Sequence, residues 1–372
     1  MKQLTMRQAG MMLSYSMISV KFLVFPALLA RFSGRDSYIV VTICFGLDLF
    51  FIGLILLTLY KFPNKTLKDI MTETYGTVVT RICFFVIFLY MFIKAILVIK
   101  EAHTYFLDAM FRDISIIMFI LPFIAISLYI ASKSLKTVGR VIEFVFVIVF
   151  LGILVTVIIP IKEMDLFSIL PVLENGVAPI GMGIGKVAFS FGDQIVLMLI
   201  IGKIKYKKEK PKNFFFYALI TSLLVICLNI LFISLFESMA ISQQLAASDI
   251  PLNSTAPITI GRLDWITIIL WVLTLIIQSG VFMFFAVESF AESTSVPKNI
   301  SLIIVSFTAM IVLFIVALNL AKIIEIMLTP AFVYSAIVVQ VILPIMLFIA
   351  TLIIMLRKKK RGKDCEKIKE NI

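Results

Sequence analysis

Lys21 lies near the middle of the first long apolar segment, and Asp48 near the middle of the second. The polar turn between the segments centres on Gly34. A helical hairpin about that turn carries the two charges to the same depth. A charge at the centre of a bilayer costs about 2.5–3.5 kcal/mol or more and is tolerated when paired or facing a polar cavity. The spacing therefore predicts an ion pair between Lys21 and Asp48. A third acidic residue, Asp193, follows Gly192 in the run Ala188-Phe189-Ser190-Phe191-Gly192-Asp193-Gln194, which interrupts another apolar segment near its centre. Glu101 is a fourth, either lining a polar path or pairing with a neighbour. Lys21, Asp48, Glu101 and Asp193 are the candidates for an intramembrane charge pair or ion pathway.

The first segment also carries Ser14, Tyr15, Ser16 and Ser19, with Pro26 shortly after Lys21. Three serines at i, i+2 and i+5 do not share a helical face. They suit either a locally unwound stretch whose freed backbone groups need partners or serines bonded to their own helix. Tyr15, Ser16, Ser19, Lys21, Ser190, Phe191, Gly192 and Asp193 are the candidate ligand-binding residues. Lys100 and Lys186 are expected to snorkel toward an interface. Gln278 and Ser279 are assigned ordinary interhelical hydrogen bonds, and Trp265 and Trp271 an interfacial belt.

These residues need elements that span a membrane. The chain of 372 residues is 61% hydrophobic, with mean hydropathy +1.11, where soluble domains average about 45–50% apolar. Ten apolar segments, 7–30, 37–60, 79–108, 114–132, 138–160, 178–203, 212–236, 264–290, 299–320 and 331–356, are each read as a spanning helix. The first is too long for a cleaved leader and is expected to remain. The formal charge of +12 sits at the ends of these runs. It reads as membrane orientation and anionic-lipid contact rather than nucleic-acid binding. Lys2, Arg7, Lys61, Lys65, Lys68, Lys133, Lys136, Arg140, the lysines from 203 to 212, Lys298 and the tail from Arg357 fall on one side. That alternation predicts that both termini are cytoplasmic.

No Walker-type loop, zinc signature or His-containing nucleophile arrangement is present, and His103 is the only histidine. The sequence supports neither an enzyme nor a cofactor or metal site. Cys44, Cys83 and Cys227 lie in apolar segments and Cys365 in the tail, a distribution that offers no disulfide framework.

Several short motifs in order carry a resemblance. Gln8 and Pro26 bracket span one, Gly34-Arg35-Asp36 follows it, and Phe62-Pro63-Asn64-Lys65-Thr66-Leu67 closes span two. Leu170-Pro171-Val172-Leu173 precedes span six, and Phe191-Gly192-Asp193 interrupts it. Together they resemble the spore germination permeases, the B subunits of germinant receptors, within the amino acid–polyamine–organocation superfamily. The resemblance implies an all-α membrane protein of about ten helices, a five-plus-five inverted repeat (LeuT-like) with helices one and six broken. Residues 1–160 and 161–356 would form the repeats and 357–372 a basic cytoplasmic tail. It implies a multi-pass protein of the bacterial, expectedly spore inner, membrane. It also implies a small nutrient germinant, commonly an amino acid, bound between spans one and six, and assembly with an A subunit and a C lipoprotein. Family members tend to carry glycines where Ser19 and Lys21 stand, so cation coupling does not follow from the resemblance. A proton-coupled amino-acid transporter and a water or ion conduit remain as alternatives.

Overall fold

The computed structural model describes residues 3–109, 116–205, 212–243, 250, 264–318 and 330–370. Among them the only β-type pairing is a single bridge, and everything else of regular structure is helical. The helices are α1 Met6–Leu23, α2 Phe25–Ser33, α3 Ser37–Lys61, α4 Leu67–Ala109, α5 Ile116–Ser132, α6 Leu135–Ile158 and α7 Ala178–Val187. They continue as α8 Gln194–Ile200, α9 Lys212–Phe236, α10 Asp264–Thr294, α11 Lys298–Leu318, α12 Pro330–Ile337 and α13 Leu343–Glu370, with a π turn, Val338–Ile342, joining the last two.

Eight helical stretches among the described residues are long and apolar enough to cross a membrane, and Met118–Ser132 is a shorter apolar helix. Ten were expected. The difference lies at α1, whose serines and Lys21 dilute its apolar run, and at the short α5. Apolar side chains recur on the outer faces of the bundle: Phe144, Val147, Leu151 and Val155 on α6, and Ile303, Phe307, Met310 and Phe314 on α11 are each about half exposed or more. Such i, i+3/i+4 stripes turned outward mark a hydrocarbon-facing surface, since burial in water would otherwise gain about 25 cal/mol per Å².

Span one is broken, but not where the serines pointed. α1 stays helical through Lys21, and the discontinuity falls at Val24, directly before Phe25-Pro26 opens α2. The cause is Pro26, which has no N–H to give and whose ring excludes the carbonyl four residues back. Ser16 bonds its own helix at Met12 O, 3.0 Å, so it does not signal unwinding. Span six breaks within the expected run, between α7 and α8.

Contacts concentrate between α4 and α10, α5 and α10, α1 and α9, and α1 and α6. Gly10 allows the closest approach of α1 to α9, because a Cβ there would sit 2.5 Å from the Tyr217 ring. Ser14 fixes the same seam by donating to Tyr217 O, 3.1 Å.

The end that carries the termini is laced by polar contacts. Leu4 N–H donates to Lys203 O at 2.9 Å and Lys205 N–H to Leu4 O at 2.8 Å, tying the start of span one to the exit of span six. Glu143 of α6 accepts from Gln8 and pairs with Arg7. Glu288 of α10 pairs with Lys203 at 3.0 Å and Lys298 at 3.1 Å.

Gly10→Ala is therefore expected to lower the melting temperature of the detergent-purified protein by an amount matching about 1–3 kcal/mol of overpacking. Gly53→Ala, where a Cβ meets nothing within 4 Å, should leave it unchanged or slightly raised.

Candidate functional site

The site is built around the gap between α7 and α8. α7 tightens into a short turn, Ala188–Ser190; Phe191 is extended, and Gly192 takes φ +83° before α8 starts at Gln194. A side chain is excluded at Gly192 twice over. Its φ disfavours one, and a Cβ would collide with Gln340 and come within 2.8 Å of the Tyr90 hydroxyl. The gap frees backbone carbonyls and an amide in a region without water, where each must find a partner.

They find them in side chains from three elements. Tyr90 of α4 hydrogen-bonds to the carbonyls of Phe189 and Phe191. Lys94, one helical turn on, donates to Phe191 O at 2.8 Å. Gln340, in the π turn, donates toward Ala188 O at 2.6 Å, Phe191 O at 3.0 Å and the Tyr90 oxygen at 2.9 Å. Asp48 of α3 accepts from Gly192 N–H at 3.1 Å.

Asp193 sits between two ammonium groups. One carboxylate oxygen pairs with Lys21 Nζ, and the other with Lys94 Nζ at 2.8 Å. All four charged residues, Lys21, Asp48, Lys94 and Asp193, are at most 4% exposed. Two lysines and two aspartates sum to zero formal charge, which lets the cluster persist in a low-dielectric interior. The Lys21 ammonium also lies 4.5 Å from the Phe191 ring centroid and 5.2 Å from that of Phe45.

The predicted ion pair between Lys21 and Asp48 does not form. Lys21 turns toward span six and meets Asp193. Asp48 instead reaches the backbone at Gly192 and interacts with the two lysines through space. Glu101 is also outside the cluster: it pairs with Lys100 at 2.9 Å, nearly two helical turns beyond Lys94. Lys100 is accordingly buried and does not snorkel.

Of the other predicted ligand residues, Tyr15 is fully buried and donates to Thr274 O at 2.8 Å. The Ser16 carbonyl accepts from Gln278 at 2.9 Å. Ser190 is half-buried beside the gap. Phe191 packs on Phe25 and Phe45. The Ser19 and Trp265 side chains lie outside the described residues. Trp271 is buried and stacked on Phe22 at 4.6 Å, so it is a core residue rather than part of a belt.

A model of the spore germination protein family matches residues 3–320. The chain belongs to that family. It is 25% identical over 219 residues to spore germination protein KB of Bacillus subtilis (strain 168), an alignment covering 56% of this chain and 57% of that protein. The chain thus spans little more than half the length of the curated relative it matches. The fold is similar to that of a manganese transporter mutant of Eremococcus coleocola, with TM-score 0.57, 12% identity, and coverage of 91% of this chain and 75% of that one. This germination-family member therefore has the architecture of a membrane transporter.

Three residues of the site escaped sequence reasoning. Lys94 is not among the candidates drawn from the sequence, yet a lysine fifteen residues into the apolar segment 79–108 is itself a signal. Tyr90 precedes it by one turn. Gln340 is a lone amide in the last apolar span, and the π turn around it has no sequence signature.

Replacing Asp193 by Asn strands two buried ammonium groups and is expected to cost about 3–5 kcal/mol. Lys21→Met should cost less, because Lys94 still serves Asp193. Combining Lys21→Met with Asp193→Asn should cost less than the sum of the two. Thermal unfolding of the four proteins measures this, and strict additivity would rule out the contact. Gly192→Ala should destabilise by about 1–3 kcal/mol through the collision with Gln340.

Proposed function

We propose that this protein is the permease-like subunit of a germinant receptor and that it binds a small nutrient, of amino-acid type, at the broken helices. The observation that carries this reading is the self-paired cluster at the gap of span six. Two ammonium groups and two carboxylates of the protein are arranged around one stretch of irregular backbone, and both charge signs are available to a zwitterion. A ligand carboxylate would take the place of Asp193 on Lys21 or Lys94, and a ligand ammonium would face Asp193 and Asp48. Ser16, Ser190 and the gap backbone would supply neutral contacts. A ligand shifts a conformational equilibrium only by its differential affinity for the two states. Exchange of the internal ion pairs for ligand pairs provides that difference, and movement of α1 and α7–α8 against α4 and α10 would pass it on. An A subunit and a C lipoprotein are the proposed receivers, in the spore inner membrane with both termini cytoplasmic.

Purification of the full chain from spore or vegetative membranes tests this directly. The expected result is co-purification of the partner subunits and a rise in melting temperature with at least one amino acid of a nutrient panel, lost in Lys21→Met. Absence of both effects would sink the reading.

One observation favours a second reading, a proton-coupled transporter. Asp48 is buried and has no ion pair among the described residues, as a proton carrier requires. In that case vesicles containing only this chain should accumulate labelled amino acid with a pH gradient, and Asp48→Asn should abolish the dependence on the gradient.

A further inference from the structure

The Phe62–Leu67 turn, which closes span two, meets the exit of span six at the terminus-bearing end: a Cβ on Gly202 would sit 2.6 Å from the Lys65 carbonyl carbon. The midplane cluster uses no residue of this turn. α3, which leads into it, packs side by side with α13. The Thr351 hydroxyl donates to the Thr58 hydroxyl at 3.0 Å and sets the register of the two helices. They run parallel toward the same end, where the Lys358 ammonium lies 5.1 Å from the Phe62 ring centroid.

Helical geometry decides which side chains share the seam. At about 100° per residue, Leu54, Leu57 and Lys61 leave α3 on one side of the Thr58 contact. Phe348, Leu352 and Met355 leave α13 on that same side, because the helices are parallel. Leu57 is 50% exposed and Leu352 42%, and Leu54, Phe348 and Met355 are half-buried. The result is an apolar furrow on the outer face of the bundle, with Lys61 at its terminus-side mouth.

The chain does not neutralise the cations at this mouth. Lys65 and Lys358 both stand over the Phe62 ring, at 5.5 and 5.1 Å, so two like charges are drawn to one point. Of the carboxylates on the adjoining start of α4, Glu73 is taken by Lys65. Asp69 accepts from the Thr66 N–H and hydroxyl at 2.9 and 2.7 Å. Lys61, Arg357 and Lys358 are exposed and have no ion pair among the described residues. Arg357 donates to the Glu73 carbonyl at 3.4 Å. An aromatic face attracts a cation only weakly at an exposed site, so this gathering is completed by an anion.

An anion seated at the mouth of an apolar furrow, in a chain that spans a membrane, has the chemistry of a phospholipid. We propose that the α3–α13 furrow is a site for one anionic phospholipid of the leaflet at the terminus-bearing end. Its phosphate lies against Lys61 and Lys358, and an acyl chain follows Leu57 and Leu352. The attraction of a basic tail for an anionic leaflet is diffuse and needs no particular residue; this site needs these two lysines. It does not depend on the function proposed for the midplane.

The experiment uses the full-length protein in a neutral detergent. Phosphatidylglycerol and phosphatidylcholine with the same acyl chains are titrated separately while the melting temperature is followed, and native mass spectrometry counts the lipid retained. Phosphatidylglycerol should raise the melting temperature by about 3 °C, phosphatidylcholine should not, and one phosphatidylglycerol should stay with each chain. Lys61→Gln with Lys358→Gln should move the titration to about thirtyfold higher phosphatidylglycerol, or about fivefold per lysine. The lipid-free melting temperature should not change. Lys136→Gln with Arg140→Gln removes the same charge from α6 and should titrate like the parent. An equal response to the two lipids would overturn the proposal, and so would a parent chain that retains no phosphatidylglycerol. An equal loss in the α6 variant would mean diffuse attraction, and the same shift with glycerol 3-phosphate would mean a soluble anion; either overturns it. Loss of a co-purifying acidic protein from the furrow variant, with its lipid titration unchanged, would give the surface to that protein instead.

Discussion

A carboxylate placed alone in hydrocarbon would lose several kcal/mol of hydration with no return, and Asp193 sits where water is excluded. It is stable there because Lys21 and Lys94 reach it from opposite sides. This arrangement constrains more than three residues. It pins α1, α4 and the α7–α8 gap to a common point, and Asp48 adds α3 through Gly192 N–H. Removing the acid leaves both ammonium groups without their ion-pair partner, whereas removing one cation leaves a pair.

The same point resolves the problem that a broken helix poses in a membrane. Carbonyls at 189 and 191 lose their helical partners, and Tyr90, Lys94 and Gln340 replace them. Gln340 can do so because the π turn rotates that part of the last span toward the gap; π turns inside helices recur at functional positions. The donors are side chains from three separate elements, not a fixed helical ladder. A break satisfied in this way is stable without a helical ladder.

The two ends of the bundle differ in kind. At the terminus-bearing end, the Leu4–Lys205 backbone contacts and the pairs made by Glu143 and Glu288 join spans one and six to each other and to α6 and α10. At the other end, Arg35 and Asp36 hold the Leu170–Leu173 segment beside an acidic cavity.

Much of this was legible in the amino-acid order. Apolar run length marked the eight helices among the described residues that are long and apolar enough to cross a membrane, because hydrocarbon thickness sets a minimum length. The Phe191-Gly192-Asp193 interruption marked the gap, since a glycine beside an acid has few other uses in mid-span. Lys21 is buried, as a charge in the middle of an apolar run has to be. Spacing did not predict the partner. Depth follows from a fixed rise per residue, but the direction in which a side chain leaves its helix, and which helix stands there, depend on packing of segments far apart in the chain. Lys21 met Asp193, 172 residues away, instead of Asp48 across the hairpin. The position of the span-one break at Val24, the roles of Lys94 and Gln340, and the burial of Trp271 were likewise decided by tertiary contacts. Sequence alone determined which groups would be forced into the membrane; only the folded bundle decided which of them neutralise one another.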